Sequence, residues 1–359
     1  MADTTADLDP KKVAEFQSQM GGYLNAASAA LMISIGHRTG LFDTMAAMPA
    51  ATSASIAARA GLNERYVREW LGAMVAAKVI VYDPNKDEYS LPAEHASLTT
   101  SEAGPGNLAR IMQFVPLLAT VETKVIDKFH NGGGVPYSEY EDFHRIMAEV
   151  SGAQFDAGLV DEMLPLVPGM VDALEAGTTV ADVGTGSGHA VNVMASAFPQ
   201  SQFVGFDFSE NAIDVARAEA ESLGLTNARF EVQDAAALDG TNEFDFVTTF
   251  DAVHDQARPR DMVSSIYRIL KPGGYWLCAD ICASSHVGEN VDHPIGVFGY
   301  TVSCMHCMTV SLAYDGEGLG AMWGVHQARQ IFAEAGFKDI HVNSLENDPT
   351  NNYYVCHKA

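Results

Sequence analysis

The 359-residue chain reads as an α/β protein, with a doubly wound, seven-stranded sheet in its C-terminal half behind a mainly helical, winged-helix-like N-terminal part. Three observations carry this reading. From Thr179 onward, short apolar runs alternate with helical stretches. A strand over 179–183 runs directly into a turn bearing Gly184, Gly186 and Gly188. Residues 53–91 give helix, turn, helix and hairpin in that order.

Taken in order, Val13 to Ile35 is a helix rich in Ala, Met and Leu, with Gly21-Gly22 as its weak point. Its apolar content exceeds what one face of a lone helix uses, which points to burial in a partner subunit or another domain. Ser53 to Gly61 is a short capped helix ending at glycine. Asn63 then caps a helix over Glu64 to Lys78, with Val67, Trp70, Leu71, Met74 and Val75 at helical spacing. Val79–Tyr82 and Glu88–Leu91 flank the turn Asp83-Pro-Asn-Lys-Asp87 as a hairpin. Residues 1–100 form this part. Residues 101–175 read as a helical connection broken by Asn131-Gly-Gly-Gly-Val-Pro136, with Tyr137, Tyr140, Phe143 and His144 beyond it as core or as a lid. Residues 176–359 hold strands at Thr179–Val183, Gln202–Phe206, Ala228–Gln233, Phe244–Phe250 and Tyr275–Ala279. Two late strands, near Ile340–Ser344 and Tyr353–His357, form an edge hairpin whose last strand is antiparallel. Helices begin near His189, Ser209, Arg260 and His326.

Composition excludes several function classes. With 21 basic and 46 acidic residues the formal charge is -25, and 47% of residues are hydrophobic, enough to order a core. A chain this acidic lacks the basic face that phosphate backbones and anionic lipid require, so neither nucleic acid nor membrane is an expected partner. Residues 1–100 carry only -3 of this charge and the remainder -22. On the second helix of the winged-helix outline, Arg65 and Arg68 stand beside Glu64 and Glu69, giving a neutral face that argues against groove binding. The opening MADTTADLDP shows no secretory leader, and five cysteines, all beyond residue 277, do not make a disulfide framework. A cytoplasmic location is expected.

The glycine turn carries the chemistry. In Val180-Ala-Asp-Val-Gly-Thr-Gly-Ser-Gly-His189 the glycines let a ligand approach the backbone at a helix N-terminus. A nicotinamide fingerprint needs glycine where His189 stands, and no Gly-Lys-Ser/Thr for a phosphate loop is present. The turn suits an uncharged or cationic nucleoside. Asp207, ending the second strand, can accept ribose hydroxyls, and Asp234, ending the third, can accept an exocyclic amine. Leu270-Lys-Pro-Gly-Gly274 turns into the fifth strand.

In these motifs the sequence resembles the class I methyltransferases that use S-adenosylmethionine, densely over 175–280. With Met322-Trp-Gly324 and Asn351-Asn-Tyr-Tyr354 included, it resembles a bacterial small-molecule group with an N-terminal winged-helix-like domain. The resemblance implies a Rossmann-like sheet and S-adenosylmethionine as cofactor. It assigns the glycine turn to the methionine moiety, Asp182 to its amino group, Asp207 with Phe208 to ribose, Asp234 with Ala235 to adenine, and Phe250 to the cofactor's flank. It also implies a homodimer acting on a small-molecule acceptor, most readily at oxygen, with nitrogen or sulfur as alternatives. A regulator that senses the cofactor and binds DNA is the alternative of another class.

Methyl transfer needs an in-line nucleophile and, for an alcohol or amine, a base. His254, just beyond the fourth strand, is the candidate, against the reading in which it only lines the cofactor site or caps a helix. Val253-His-Asp255 resembles the His-Asp-Trp stretch of O-methyltransferases whose His is the base, with Gln256 in the third place. His306 is the second candidate base. Tyr300, Met305, His306, Met308 and Trp323 are expected in the acceptor-pocket wall. Cys304-x-x-Cys307 with Cys278 and Cys282 has imperfect spacing for zinc, and no metal is expected.

Overall fold

The computed structural model describes residues 8–359. Residues 1–7, part of the segment in which no leader was read, lie outside it. The chain divides into two compact units, one ending at Leu117 and one spanning Leu118–Ala359, so the expected connecting part 101–175 is shared between them.

In the first unit a continuous helix α1, Pro10–Arg38, is capped by Asp9, whose carboxylate accepts the Lys11 N–H at 2.9 Å. Gly21-Gly22 does not interrupt it, because both sit on an open face where no neighbour demands a bend. Only its C-terminal end is packed. Gly36 lies where a Cβ would come within 2.5 Å of the Trp70 ring and 2.7 Å of Phe42, and the Trp70 indole donates to the Met32 carbonyl at 2.8 Å. Thr52 caps the helix Ser53–Ala60, which ends at Gly61 in the left-handed conformation (φ 67°). Asn63 caps Glu64–Ala76, whose buried Val67, Trp70, Leu71 and Met74 join Phe42 and Ile56 in one core. Strands β1 (Val81–Asp83) and β2 (Glu88–Ser90) pair as the expected hairpin.

The second unit is a seven-stranded sheet: β3 (Thr179–Val183), β4 (Gln202–Asp207), β5 (Ala228–Val232), β6 (Phe244–Phe250), β7 (Leu270–Ile281), β8 (Asp339–Leu345) and β9 (Asp348–His357), in the order β5-β4-β3-β6-β7-β9-β8. β3 to β7 are parallel, and β9 runs antiparallel between β7 and β8. The sheet takes Lys271-Pro-Gly-Gly274 into the start of β7, with a pairing irregularity between Phe244 and Phe246.

Alternation along the strands builds two cores. Trp276, Cys278, Val247 and Phe206 face the helices Pro259–Ile269 and Gly324–Ala335. Leu277, Phe246, Phe203 and Val180 face the opposite core, with residues of the helices Phe143–Gly158, His189–Ala197 and Glu210–Ser222. Strand order reverses between β3 and β6, which opens a crevice at their carboxyl ends. Among the described residues no helix is long and apolar enough to cross a membrane.

Candidate active site

At the carboxyl end of β3 the three glycines have positive φ, but their surroundings differ. A Cβ on Gly184 would meet Ala252 at 2.6 Å and one on Gly188 would meet Ala216 at 2.4 Å, so these two serve packing. A Cβ on Gly186 would meet nothing within 4 Å. Its N–H donates to Asp207 Oδ2 at 2.9 Å, and Asp207 Oδ1 accepts from the Ser209 N–H at 2.9 Å. The Asp207 carboxylate is thus fixed at the crevice with lone pairs to spare, and burial raises its pKa. Beneath it Asp182, on β3 beside β6, accepts from the Thr248 hydroxyl at 2.7 Å; burial pushes its carboxyl up to about 6.

Asp234 is more occupied than expected. One oxygen caps the turn Ala235–Ala237 through the Ala236 N–H at 2.9 Å, and the other accepts from Arg258 at 2.6 Å. Ala235 is buried next to it. Phe250 ends β6 edge-on to Phe155, and Phe208 is exposed, edge-on to Tyr137.

His254 is buried in a nest of carboxylates. Its Nδ1 lies 2.8 Å from Asp280 Oδ1 and its Nε2 3.2 Å from Asp255 Oδ1. Burial alone would lower its pKa, but Asp280 and Asp255 outweigh that and hold it well above the usual value. Reciprocally, Asp255 sits at about 2, because the attraction of His254 overcomes the effect of burial. Asp251 completes the nest with a left-handed backbone (φ 51°), and burial, then the Asp280 charge, push it up to about 7. Strain of this kind concentrates at functional sites.

His306 is fully buried, and neither ring nitrogen has a hydrogen-bond partner among the described residues. Its ring stacks on Phe143 at 3.7 Å with Tyr137 and Tyr140 edge-on, and burial lowers it to about 4. Nδ1 is 3.8 Å from Asp255 Oδ2. Tyr137, Tyr140 and Phe143 therefore surround His306.

The expected acceptor wall divides into different surroundings. Tyr300, Cys304 and Met305 line a cavity of about 680 Å³ with Val125, Phe129 and Val291, whereas His306 and Cys307 turn inward to the His254 nest. Met308 packs by Gly318 and Gly320. Trp323 corrects the expectation: it is 3% exposed, sits in the core with Phe332, and donates its indole N–H to Asp280 at 2.9 Å. Its place beyond the fifth strand, flanking the His306 segment, suggested a wall residue, whereas its ring packs on Phe332 at 6.0 Å and its N–H is taken by Asp280 of β7.

The cysteines do not converge as a CxxC pair with Cys278 and Cys282, since Cys278 and Cys356 are buried in β7 and β9. Two groups have ligand geometry, His254/Asp255/Cys307 and Asp251/His254/Asp280. Both share His254, whose Nδ1 lies 2.8 Å from Asp280 Oδ1.

Asp280 and Asp251 were not singled out from the sequence, and Asp255 entered only as part of Val253-His-Asp255. The usable signal was an acidic residue ending the fifth strand next to a His beyond the fourth. The register Phe250↔Ala279 brings the two strand ends side by side.

Comparison with known proteins agrees with this fold. Residues 27–101 match an Rv2258c-like winged HTH domain and residues 174–340 a methyltransferase domain, together about two thirds of the chain. The chain is 27% identical over 169 residues to the ubiquinone/menaquinone biosynthesis C-methyltransferase UbiE of Desulfotalea psychrophila, spanning 45% of this chain and 66% of that protein. It is 35% identical over 106 residues to the ubiquinone biosynthesis O-methyltransferase of Roseobacter denitrificans, spanning 29% of this chain and 42% of that one. The fold matches human N-acetylserotonin methyltransferase in complex with S-adenosylmethionine (TM-score 0.66, 14% identity, 99% of each chain). It also matches the mitomycin 7-O-methyltransferase MmcR (TM-score 0.71, 15% identity, 98% of this chain and 100% of that one).

Proposed function

We propose, on the premise that this chain belongs to the methyltransferases that carry an N-terminal winged helix-turn-helix domain, that it transfers a methyl group from S-adenosylmethionine to an oxygen of a small-molecule acceptor. The observation that carries the reading is the open position at Gly186 beside the fixed carboxylate of Asp207, at the crevice where the strand order reverses. These residues fit the cofactor. Asp207 offers acceptors to the ribose hydroxyls, with Phe208 beside it; Asp182, once ionised, complements an ammonium; Phe250 flanks the crevice. Asp234 serves the adenine amine only by sharing its oxygen with Arg258. When bound, S-adenosylmethionine supplies an activated methyl on a good leaving group.

This chain's part is then to orient the acceptor and take its proton. Asp280 holds Nδ1 of His254, leaving Nε2 as the atom that accepts a proton from the acceptor hydroxyl. Between Asp255 and Asp280 that nitrogen starts protonated, so the base is available only once its proton has left. The unpartnered nitrogens of His306 suit hydrogen bonding to the acceptor, and the rings of Tyr137, Tyr140 and Phe143 exclude water around it. The same clamp on His254 favours a second reading, transfer to sulfur, where less help from a base is needed.

A homodimer is part of the proposal. Helix α1 exposes Val13, Phe16, Met20 and Leu24, at roughly the spacing of a two-helix seam. Phe16→Asp with Met20→Asp is expected to give monomers by analytical ultracentrifugation, and an unchanged dimer would reject α1 as the seam. The proposal includes neither nucleic acid nor membrane as partner. Arg65 pairs with Glu69 and Arg68 with Glu64 at 3.3 Å, so the helix of the winged domain offers phosphates little free positive charge.

The test is a panel of hydroxyl, thiol and amine acceptors with methyl-labelled donor. His254→Ala is expected to lower transfer to hydroxyls by roughly 100-fold or more with cofactor affinity unchanged. A near-normal rate would reject His254 as the base, and absence of any transfer would reject the activity.

A further inference from the structure

We propose that Trp323 is a positioning residue for the His254 base, acting through Asp280. This rests on the reading of His254 given above. Asp280 Oδ1 receives three donors: His254 Nδ1 at 2.8 Å, Trp323 Nε1 at 2.9 Å and the Ile281 N–H at 2.8 Å, while Oδ2 has no hydrogen-bond partner among the described residues. The carboxylate is fully buried, so no water competes for that oxygen. Side-chain rotation about the last bond of an aspartate is soft; the indole, among the described residues the one side-chain donor besides His254, fixes the orientation in which Oδ1 faces the imidazole.

The indole is itself held by the backbone on both sides. The Trp323 carbonyl accepts from the Ser285 hydroxyl at 2.7 Å, and the Val325 N–H donates to the Ala283 carbonyl at 3.2 Å. Gly324 lies so close to the 284–285 backbone that a Cβ would meet the Ser285 nitrogen at 2.2 Å, with φ at 77°. The Trp323-Gly324 turn is thus pinned to the loop that leaves β7 just after Asp280. An oriented carboxylate fixes which imidazole nitrogen bears the proton and where the other points, which links Trp323 to the reacting proton although it lies outside the acceptor wall.

The test is a double-mutant cycle on methyl transfer. Trp323→Phe keeps most of the buried volume and removes the donor. A hydrogen bond to a charged group, expressed in the barrier, corresponds to a loss in kcat on the order of tenfold to hundredfold, with KM for both substrates within about twofold of wild type if binding is uninvolved. In the His254→Ala background the same substitution is expected to change kcat less than about twofold, because residues acting as a unit are non-additive. Equal losses in both backgrounds, or no loss in the first, would overturn the proposal while leaving His254 as base intact. A His254→Ala variant with normal turnover would overturn both. Should Trp323→Phe not fold, Asp280→Asn, close in shape to the native side chain, is expected to move one of the three indole N–H resonances. If all three stay in place, Trp323 does not act through Asp280.

Discussion

The Nδ1 of His254, in the turn beyond β6, and Oδ1 of Asp280, near the end of β7, are 2.8 Å apart in a buried setting, with Asp255 3.2 Å from the other ring nitrogen. Two carboxylates on one imidazole make a cation of it. That fixes the sign of its pH behaviour. Its folded pKa lies above the unfolded value of 6.5, so its ion-pair contribution to stability is complete below 6.5 and is lost as pH rises through the folded value. A base needs the opposite state. Turnover is therefore expected to rise with pH beyond neutrality, and Asp255→Asn, which removes one raising charge, moves that limb to lower pH. The pH profile of kcat for both proteins checks this; identical limbs would disconnect Asp255 from His254.

Asp182 gives a second pH dependence. Its carboxyl titrates near 6 in the free protein, because burial disfavours the charge. As a raised carboxyl, it makes folding less favourable as pH rises from about 4 to 6. If the bound ammonium requires it ionised, apparent cofactor affinity falls roughly tenfold per unit as pH drops below 6. Titration calorimetry at pH 7 and 5 measures this, and a Thr248-contacting Asn in place of Asp182 removes the dependence.

The Arg258–Asp234 pair is half exposed on both sides, so it contributes on the order of 0–1 kcal/mol to stability. Its importance is for the ligand. Arg258→Ala is expected to leave cofactor affinity unchanged or slightly improved, while Asp234→Ala weakens it about tenfold, the loss of one hydrogen bond to a charged group. Weaker binding in Arg258→Ala would make the arginine part of the adenine contact.

In the first unit, Gly36→Ala places a methyl 2.5 Å from the Trp70 ring and 2.7 Å from Phe42. Overpacking of this kind costs roughly 1–3 kcal/mol. Gly21→Ala, on an open helical face, is instead expected to stabilise by about 0.5–1 kcal/mol. Denaturant unfolding of the two variants separates them.

The strands were legible because a parallel sheet buries both faces, so β3, β4 and β6 stand out as near-continuous apolar runs with glycine or Asp at their ends. The winged hairpin was legible through Asp83-Pro-Asn-Lys-Asp87. The cofactor crevice followed from Gly184, Gly186, Gly188 and Asp207, whose spacing is local. The base environment was not, because Asp280 reaches His254 only through the lateral register of β6 and β7, and Trp323 reaches Asp280 from 43 residues away. Trp323 also shows how composition misleads: an amphipathic ring near a pocket segment reads as a wall residue, yet its N–H needs a buried acceptor and finds one under the sheet.

The central claim, that the glycine turn and Asp207 hold S-adenosylmethionine, is tested most directly by calorimetric titration of the cofactor into wild type, Gly186→Val and Asp207→Ala. Gly186→Val puts a side chain where a Cβ would meet no protein atom within 4 Å, at a φ of 53° that strains any residue other than glycine. One cofactor per chain is expected on wild type, with affinity at least about tenfold weaker in each variant. A wild type that binds no cofactor, or a Gly186→Val protein that binds it as tightly as wild type, would contradict the account.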